Sequence, residues 1–164
     1  MFKKMFTRFS KVVAAGLVLS FMFLVPGAEA SHWGLSGGLQ THDPTIVRES
    51  GNTWWSASTG TGIGMKYSTN GGKTWTDGLP IFSRPLSWWK KYAPNMTTND
   101  VWAPDLEYYR GRYYCYYSVS EFGKNNSAIG LVSCSSISKG DWRDDGVVLY
   151  SRYGSSKFNA IDPN

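Results

Sequence analysis

Turn signals recur along this chain at intervals too short for a helical domain, and that punctuation limits what it can fold into. Ser50-Gly51-Asn52, Asn70-Gly71-Gly72 and Arg110-Gly111 each separate two segments rich in β-branched and aromatic residues: 45–49 from 53–58, 62–68 from 74–77, and 105–109 from 112–120. Gly and Asn tolerate the positive φ that tight hairpin turns demand. A further pair, 112–120 and 129–134, flanks a Gly/Asn/Ser loop, and 147–150 follows. No βαβ rhythm appears, and no segment after residue 30 carries the apolar period of a helix. The expected fold class is therefore all-β, as a sandwich, a barrel or a propeller.

The first 30 residues read differently. Lys3, Lys4, Arg8 and Lys11 precede an apolar run from Val12 to Val25, which ends at Pro26-Gly27 and the small-residue site Ala28-Glu29-Ala30. This is the pattern of a secretory signal peptide cleaved after Ala30, and its apolar core is short for a membrane span. Residues 31–164 are then the exported domain, about 134 residues, one domain in size. The formal charge of +5 falls to +2 without the signal, because four basic residues and one acid leave with it. No basic stripe remains, which argues against nucleic acid as a partner. All 8 Trp and 10 Tyr stay in the exported part. Such rings pack between sheets or stack on the apolar faces of sugars.

Cys115 and Cys134 fall on the strands 112–120 and 129–134. If Ser120 pairs with Ile129 they stand opposite each other, and export leaves open either a disulfide or two buried thiols. No other Cys or His lies at zinc-ligand spacing. Ser68-Thr69-Asn70-Gly71-Gly72-Lys73-Thr74-Trp75 resembles the Asp-box hairpin of propeller blades, with Asn in the Asp position. In it the Asn side chain bonds backbone amides and the Trp covers the turn. Asp141-Trp142 ahead of 147–150 is the expected counterpart one blade later, which implies an insertion around 85–99.

Two carboxylates stand in like settings, His42-Asp43-Pro44 before a strand and Asn159-Ala160-Ile161-Asp162-Pro163 after a loop. A following Pro predicts an extended backbone at each Asp. Alone, either is a turn or capping Asp. Together, amid Trp and Tyr, they point to glycoside hydrolysis, which needs an acid and a base across one bond. Asp105 reads as a structural residue bonding turn amides at a strand start, Trp88-Trp89 as a loop cap, and Lys90-Lys91 as a solvated face.

His42-Asp43-Pro44-Thr45-Ile46, Pro85-Leu86-Ser87-Trp88-Trp89, Trp102-Ala103-Pro104-Asp105, Tyr116-Tyr117-Ser118-Val119-Ser120 with Phe122-Gly123, Ser127-Ala128-Ile129-Gly130-Leu131 and Asn159-Ala160-Ile161-Asp162-Pro163 resemble, in order, the endo-1,5-α-L-arabinanases of glycoside hydrolase family 43. The resemblance implies a five-bladed β-propeller that cuts α-1,5-L-arabinan, a pectin side chain, internally and with inversion. It implies that Asp43 is the general base and that Asp162 raises the pKa of the acid and orients it. It places Trp102, Phe122, Gly123, Asn159, Ala160 and Ile161 along the sugar-binding groove beside Asp43 and Asp162. A monomer is implied for the intact protein, with no cofactor in this chain and a structural calcium in the intact family member.

The chain departs from that family in one respect. The family's general acid is a Glu some fifty residues beyond the Asn159–Pro163 segment, and the sequence stops at Asn164. Glu107 and Glu121 lie in other segments. About 134 residues make roughly three blades' worth of chain, so the polypeptide reads as C-terminally truncated and inactive or nearly so on arabinan. Two other functions stay open: a non-catalytic secreted arabinan-binding module, and another propeller glycosidase of the sialidase kind. The second needs an arginine cluster, and Arg48, Arg84, Arg110, Arg112, Arg143 and Arg152 show none in sequence.

Overall fold

The computed structural model describes residues 34–164. The signal-peptide segment lies outside the described residues. Ten strands and one helical turn follow: β1 Ser36–Gly37, β2 Thr45–Ser50, β3 Thr53–Ser58, β4 Gly60–Thr61, β5 Gly64–Ser68, β6 Thr74–Asp77, α1 Trp89–Tyr92, β7 Asp100–Tyr109, β8 Arg112–Ser120, β9 Ser127–Cys134 and β10 Arg143–Ser151. Every predicted hairpin forms, with antiparallel ladders β2–β3, β5–β6, β7–β8 and β8–β9.

The strands make two sheets of five, in the orders β1-β6-β5-β3-β2 and β10-β9-β8-β7-β4. Each is a four-stranded antiparallel meander with one short strand added at an edge. The chain length suggested about three blades' worth; the described residues spend the difference on two segments without strands, 78–99 and 152–164. The first of these contains the expected insertion. It also contains α1, a single turn that apolar periodicity does not reveal in a segment this short.

The inserted segment acts as an apolar plug. Trp89 is 1% exposed, and its Nε1–H donates to the Tyr117 hydroxyl at 3.3 Å. Phe82 meets both rings edge-on, with centroids 5.0 and 4.9 Å away. Trp89 is thus core rather than loop cap, while Trp88 donates from its Nε1–H to Asp144 on β10. Tyr117 pairs across the ladder with Gly130, where any Cβ would stand 2.5 Å from the Tyr117 ring. A glycine is required there because the ring occupies the space of a side chain. The core is one cluster shared by both sheets, including Ala57 and Met65 from the first, Val101, Val119 and Val132 from the second, and Ile63 from the link between β4 and β5.

The cysteine register differs from expectation. Ser120 pairs with Ser127, so Cys115 stands opposite Val132 and Cys134 opposite Tyr113. The loop is two residues shorter than predicted, closed by Glu121 N–H donating to Asn126 O at 3.1 Å and by a 2.6 Å bond between the Ser120 and Ser127 hydroxyls. Both cysteines are free and buried. Burial first, then the nearby charges of Asp141 and Glu49, push the Cys134 thiol up to about 12. Burial raises that of Cys115 as well, so both are protonated, inert packing groups.

The Asp-box turn has the predicted local bonds. Asn70 Oδ1 accepts from Thr74 N–H at 2.9 Å, and Ser68 Oγ accepts from Gly72 N–H at 3.0 Å. Its counterpart occupies the same place in the second sheet, the β9–β10 turn, where Asp141 accepts from the backbone N–H groups of Ser135 and Ser136, each at 3.2 Å.

Candidate functional site

The site is organised around a bulge in β7. Register slips between Trp102 and Asp105, and the two residues between are Ala103, at φ 42°, and Pro104. Proline lacks the N–H a ladder needs, so within a sheet it belongs at such an irregularity. The freed Ala103 N–H donates to Thr59 Oγ1 at 2.8 Å, and the Thr59 hydroxyl in turn donates to Asp43 Oδ2 at 2.8 Å. Thr59 N–H donates to His42 O at 2.9 Å. One threonine therefore fixes the backbone before β2, the carboxylate of Asp43 and the bulge of β7. The Asp43 side chain remains 46% exposed, with His42 Nε2 3.6 Å from its Oδ1.

Asp162 is held from its backbone. Its N–H donates at 3.0 Å to Oγ of Ser118, the buried residue that faces Trp102 across the β7–β8 ladder. The segment before it is laced to the strand ends of the second sheet. Asn159 Oδ1 accepts from Ser127 Oγ at 2.6 Å, buried Ala160 donates to Ser151 Oγ at 3.0 Å, and Ile161 N–H donates to Asn159 O at 3.1 Å. Asp43 is thus tied through Thr59 to Ala103 in the bulge and Asp162 to Ser118 opposite the neighbouring Trp102, with no hydrogen bond between the two aspartates.

The extended backbone expected at both aspartates is not what forms. Asp43 has φ 47° and Asp162 has φ 54°, and Ala103, which also precedes a proline, joins them in left-handed space. Non-glycine residues rarely adopt it. Here the Thr59 and Ser118 bonds hold them, which is the kind of local strain that packed surroundings sustain at functional sites.

Trp102 and Phe122 meet edge-on, with ring centroids 6.4 Å apart. They line an open cleft of about 370 Å³ with Asn95, Thr98, Ser120 and Glu121 among its other walls. Trp102 is half-buried, so the ring both packs and faces the cleft. Phe122 is 94% exposed, and Gly123 beside it turns the chain at φ 76°. Five of the eight expected site residues, Asp43, Trp102, Asn159, Ala160 and Asp162, are joined through the β7 bulge and the strand ends around it; Phe122 reaches them through Trp102, whereas Gly123 and Ile161 contribute backbone alone.

Sequence reading missed the groups that do the holding: Thr59, Ser118, Ser127, Ser151 and Glu121. Small hydroxyls carry no signal until strand pairing shows which are buried. Glu121 sat in the predicted loop. Its carboxylate is buried, and although burial raises its pKa, the Asn95 N–H and amide, the Asn126 amide and Lys124 together hold it below the ordinary value. Glu49 behaves alike: burial opposes, but Ser138, Ser136 and Trp55 donate to it and hold its carboxyl low. Glu107 is exposed on β7. None of these three acids hydrogen-bonds to Asp43, Thr59 or Ala103. Asp105 lies mid-strand rather than at a strand start, and it bonds the Thr45 hydroxyl of the first sheet at 3.5 Å rather than turn amides.

Among the described residues no group of three or more His, Cys, Asp or Glu lies together to hold a metal ion. The arginines are dispersed: Arg48 on Gly51 O, Arg112 on Ser133, Arg143 on Asp145, and Arg110 and Arg152 over tyrosine rings. These five arginines each engage a different partner.

Known proteins resemble this chain over most of its length. The model of the family "Glycosyl hydrolases family 43" matches residues 38–164. The chain is 47% identical, over 98% of its length and 50% of the relative's, to the extracellular endo-α-(1→5)-L-arabinanase 1 of Bacillus subtilis. It is 38% identical, over 76% of its length and 36% of the relative's, to the extracellular exo-α-(1→5)-L-arabinofuranosidase ArbA of Cellvibrio japonicus. The solved α-L-arabinanase of Cellvibrio cellulosa in complex with arabinohexaose superposes with a TM-score of 0.71 at 35% identity, covering 77% of this chain and 41% of that one. The chain spans half or less of the length of the curated relatives it matches. Two antiparallel meandering sheets and a family match across nearly every described residue lead to one assignment: the chain belongs to glycosyl hydrolase family 43.

Proposed function

We propose that this chain is the arabinan-handling part of an exported, endo-acting and inverting hydrolase of α-1,5-L-arabinan. The single observation that carries the reading is the Thr59 bridge, which fixes the Asp43 carboxylate against the β7 bulge while leaving it open to solvent. In this role Asp43 is the general base and draws a proton from a water behind the anomeric carbon. An inverting pair stands roughly 6.5–9.5 Å apart to admit that water. Asp162 adds negative charge beside the oxocarbenium-like transition state and, across the site, raises the pKa of the acid. Trp102 and Phe122 offer ring faces to the apolar sides of the furanoses. No substrate charge needs neutralising, in keeping with a neutral polysaccharide and with the dispersed arginines.

Glu49 and Glu121 are committed to structural bonds and Glu107 lies elsewhere, so we propose that the 164-residue polypeptide binds arabinan without cleaving it at an appreciable rate. Retention on a linear-arabinan gel with no soluble arabino-oligosaccharide released is the expected result; release of short oligosaccharides by the purified polypeptide overturns it. In the intact family domain, Asp43→Ala is expected to lower kcat by about two to four orders of magnitude. Full-rate depolymerisation by that variant removes Asp43 from the mechanism. The size distribution of early products separates endo from exo cleavage, and the anomer first formed, read by NMR, tests inversion. A binding module without catalysis is the second reading, favoured by the same two committed glutamates; it requires the intact domain to be inactive too.

A further inference from the structure

Phe122 presents a physical problem. Its ring is 94% exposed and touches Trp102 only edge-on, so side-chain packing does little to hold it. The ring stands where its backbone puts it, and that backbone is a six-residue loop between β8 and β9. Glu121, the residue before it, is buried although charged. Its Oε1 accepts from the Asn95 N–H at 2.8 Å and from Asn95 Nδ2 at 3.1 Å. Its Oε2 accepts from Asn126 Nδ2 at 3.2 Å and lies 3.9 Å from Lys124 Nζ. The main chain closes the same unit, with Glu121 N–H donating to Asn126 O and Lys124 N–H to Glu121 O, both at 3.1 Å. One carboxylate thus ties both ends of the Phe122 loop to the inserted segment at Asn95, and Asn95, Glu121 and Phe122 line one cleft.

The geometry points to Glu121 as a positioning residue for substrate: its buried carboxylate preorganises Phe122 as a fixed aromatic platform, edge-on to Trp102, for a furanose ring of arabinan. The inference rests on the arabinan reading of the cleft and adds to it a residue outside the aspartate pair. Its physical basis is preorganisation. A loop already held in its bound shape loses less freedom when the sugar arrives, so affinity rises without a new contact. The chemistry needs a carboxylate and not merely a polar group. Three hydrogen-bond donors converge on its two oxygens with the Lys124 ammonium 3.9 Å away, and Gln in its place would turn an NH2 toward the Asn126 amide and Lys124, donor against donor.

The test titrates arabinohexaose into the 164-residue protein by calorimetry for wild type, Glu121→Gln, Phe122→Ala and the double variant. Amide exchange of residues 122–126 is measured without sugar. Each single variant is expected to weaken binding about tenfold, and the double variant no further than Phe122→Ala, because both act through one ring. Glu121→Gln is also expected to speed exchange in the loop. Independent losses that multiply to about a hundredfold overturn the inference, and so does wild-type affinity in Glu121→Gln. Should that variant not fold, Asn95→Ala removes one donor and keeps the charge. It is expected to give a smaller loss that again vanishes in the Phe122→Ala background, and a loss that persists there overturns the inference. If the wild-type protein does not bind arabinohexaose while Glu121→Gln still loosens the loop, the arabinan reading falls and the anchoring of Phe122 stands.

Discussion

The two ends of β2 are built on opposite principles. At its start, Asp43 sits in left-handed backbone, half exposed, with the Thr59 hydroxyl as its short donor. At its far end, Glu49 accepts from Trp55 Nε1 at 2.7 Å, Ser136 Oγ at 2.7 Å, Ser138 N–H at 3.0 Å and the Ser138 hydroxyl. The Tyr113 hydroxyl of the second sheet donates to its backbone carbonyl at 3.1 Å. Glu49 thus clasps the first sheet to β8 and to the β9–β10 turn, with every strong acceptor used. The strand separates the two by roughly 20 Å at its usual rise per residue. One end spends its hydrogen bonds on joining sheets, with Glu49 itself outside left-handed space. The other accepts strain at Asp43, Ala103 and Asp162 and leaves carboxylate capacity free for a ligand. A site that must bind something else cannot be saturated from within.

That contrast can be tested from the stable end first. Glu49→Ala leaves the Trp55, Ser136 and Ser138 donors without a partner and is expected to cost about 2–4 kcal/mol, read by chemical denaturation, because bonds to a charged group are the strong ones. Arabinan retention at temperatures well below the new midpoint should be unchanged. Loss of binding while the fold persists would mean that the two ends are coupled.

At the strained end, Thr59→Val keeps the shape of the side chain but removes the hydroxyl that joins Asp43 to Ala103 N–H. The expected cost is about 1–2 kcal/mol of stability, from a part-buried N–H left unpaired. Arabinan affinity should fall with it, unlike the effect of Glu49→Ala. Equal effects of the two variants on affinity would erase the distinction between the ends.

Acid sharpens the comparison further. The carboxyls of Glu49 and Glu121 are held below their ordinary value of 4.5 in the folded protein, so near pH 4 the unfolded chain binds more protons than the folded one. Their contribution is complete above about pH 5 and is lost as pH falls through the folded values. The melting temperature is expected to drop between pH 5 and 3, and less steeply in Glu49→Gln. Parallel curves for that variant and the wild type would show that the clasp is not the acid-sensitive element.

The smallest expected effect is Ala103→Gly. Glycine removes the Cβ penalty at φ 42° but adds unfolded-state entropy, for a net gain of about 0.5 kcal/mol. A loss of stability instead would show that the bulge is not strained.

Much of the fold was legible from turn chemistry, because the signals are local. Asn70-Gly71-Gly72 and Arg110-Gly111 carry their conformational demand in their own side chains, or in the lack of one. The Asp43-Pro44 and Asp162-Pro163 pairs stood out through their resemblance to a family, yet the local rule for residues before proline mispredicted their backbone. The tertiary bonds from Thr59 and Ser118 override a local preference of that size. The cysteine register failed for a related reason: a shift of two residues keeps every side chain on the same face of the strand, so alternation cannot distinguish it. What decided it was the pairing of Ser120 with Ser127, a contact that exists only once the loop is closed.

By itself, then, the sequence determined the all-strand character and the hairpin turns, since each of these is written within a few neighbouring residues. Tertiary structure alone decided that Thr59 would aim Asp43, that Trp89 would enter the core and that Glu121 would be buried under Phe122. Those outcomes depend on groups 16 to 28 residues apart in the chain meeting across strands and loops, and the low dielectric and exclusion of water that give such bonds their strength exist only after the sheets have packed.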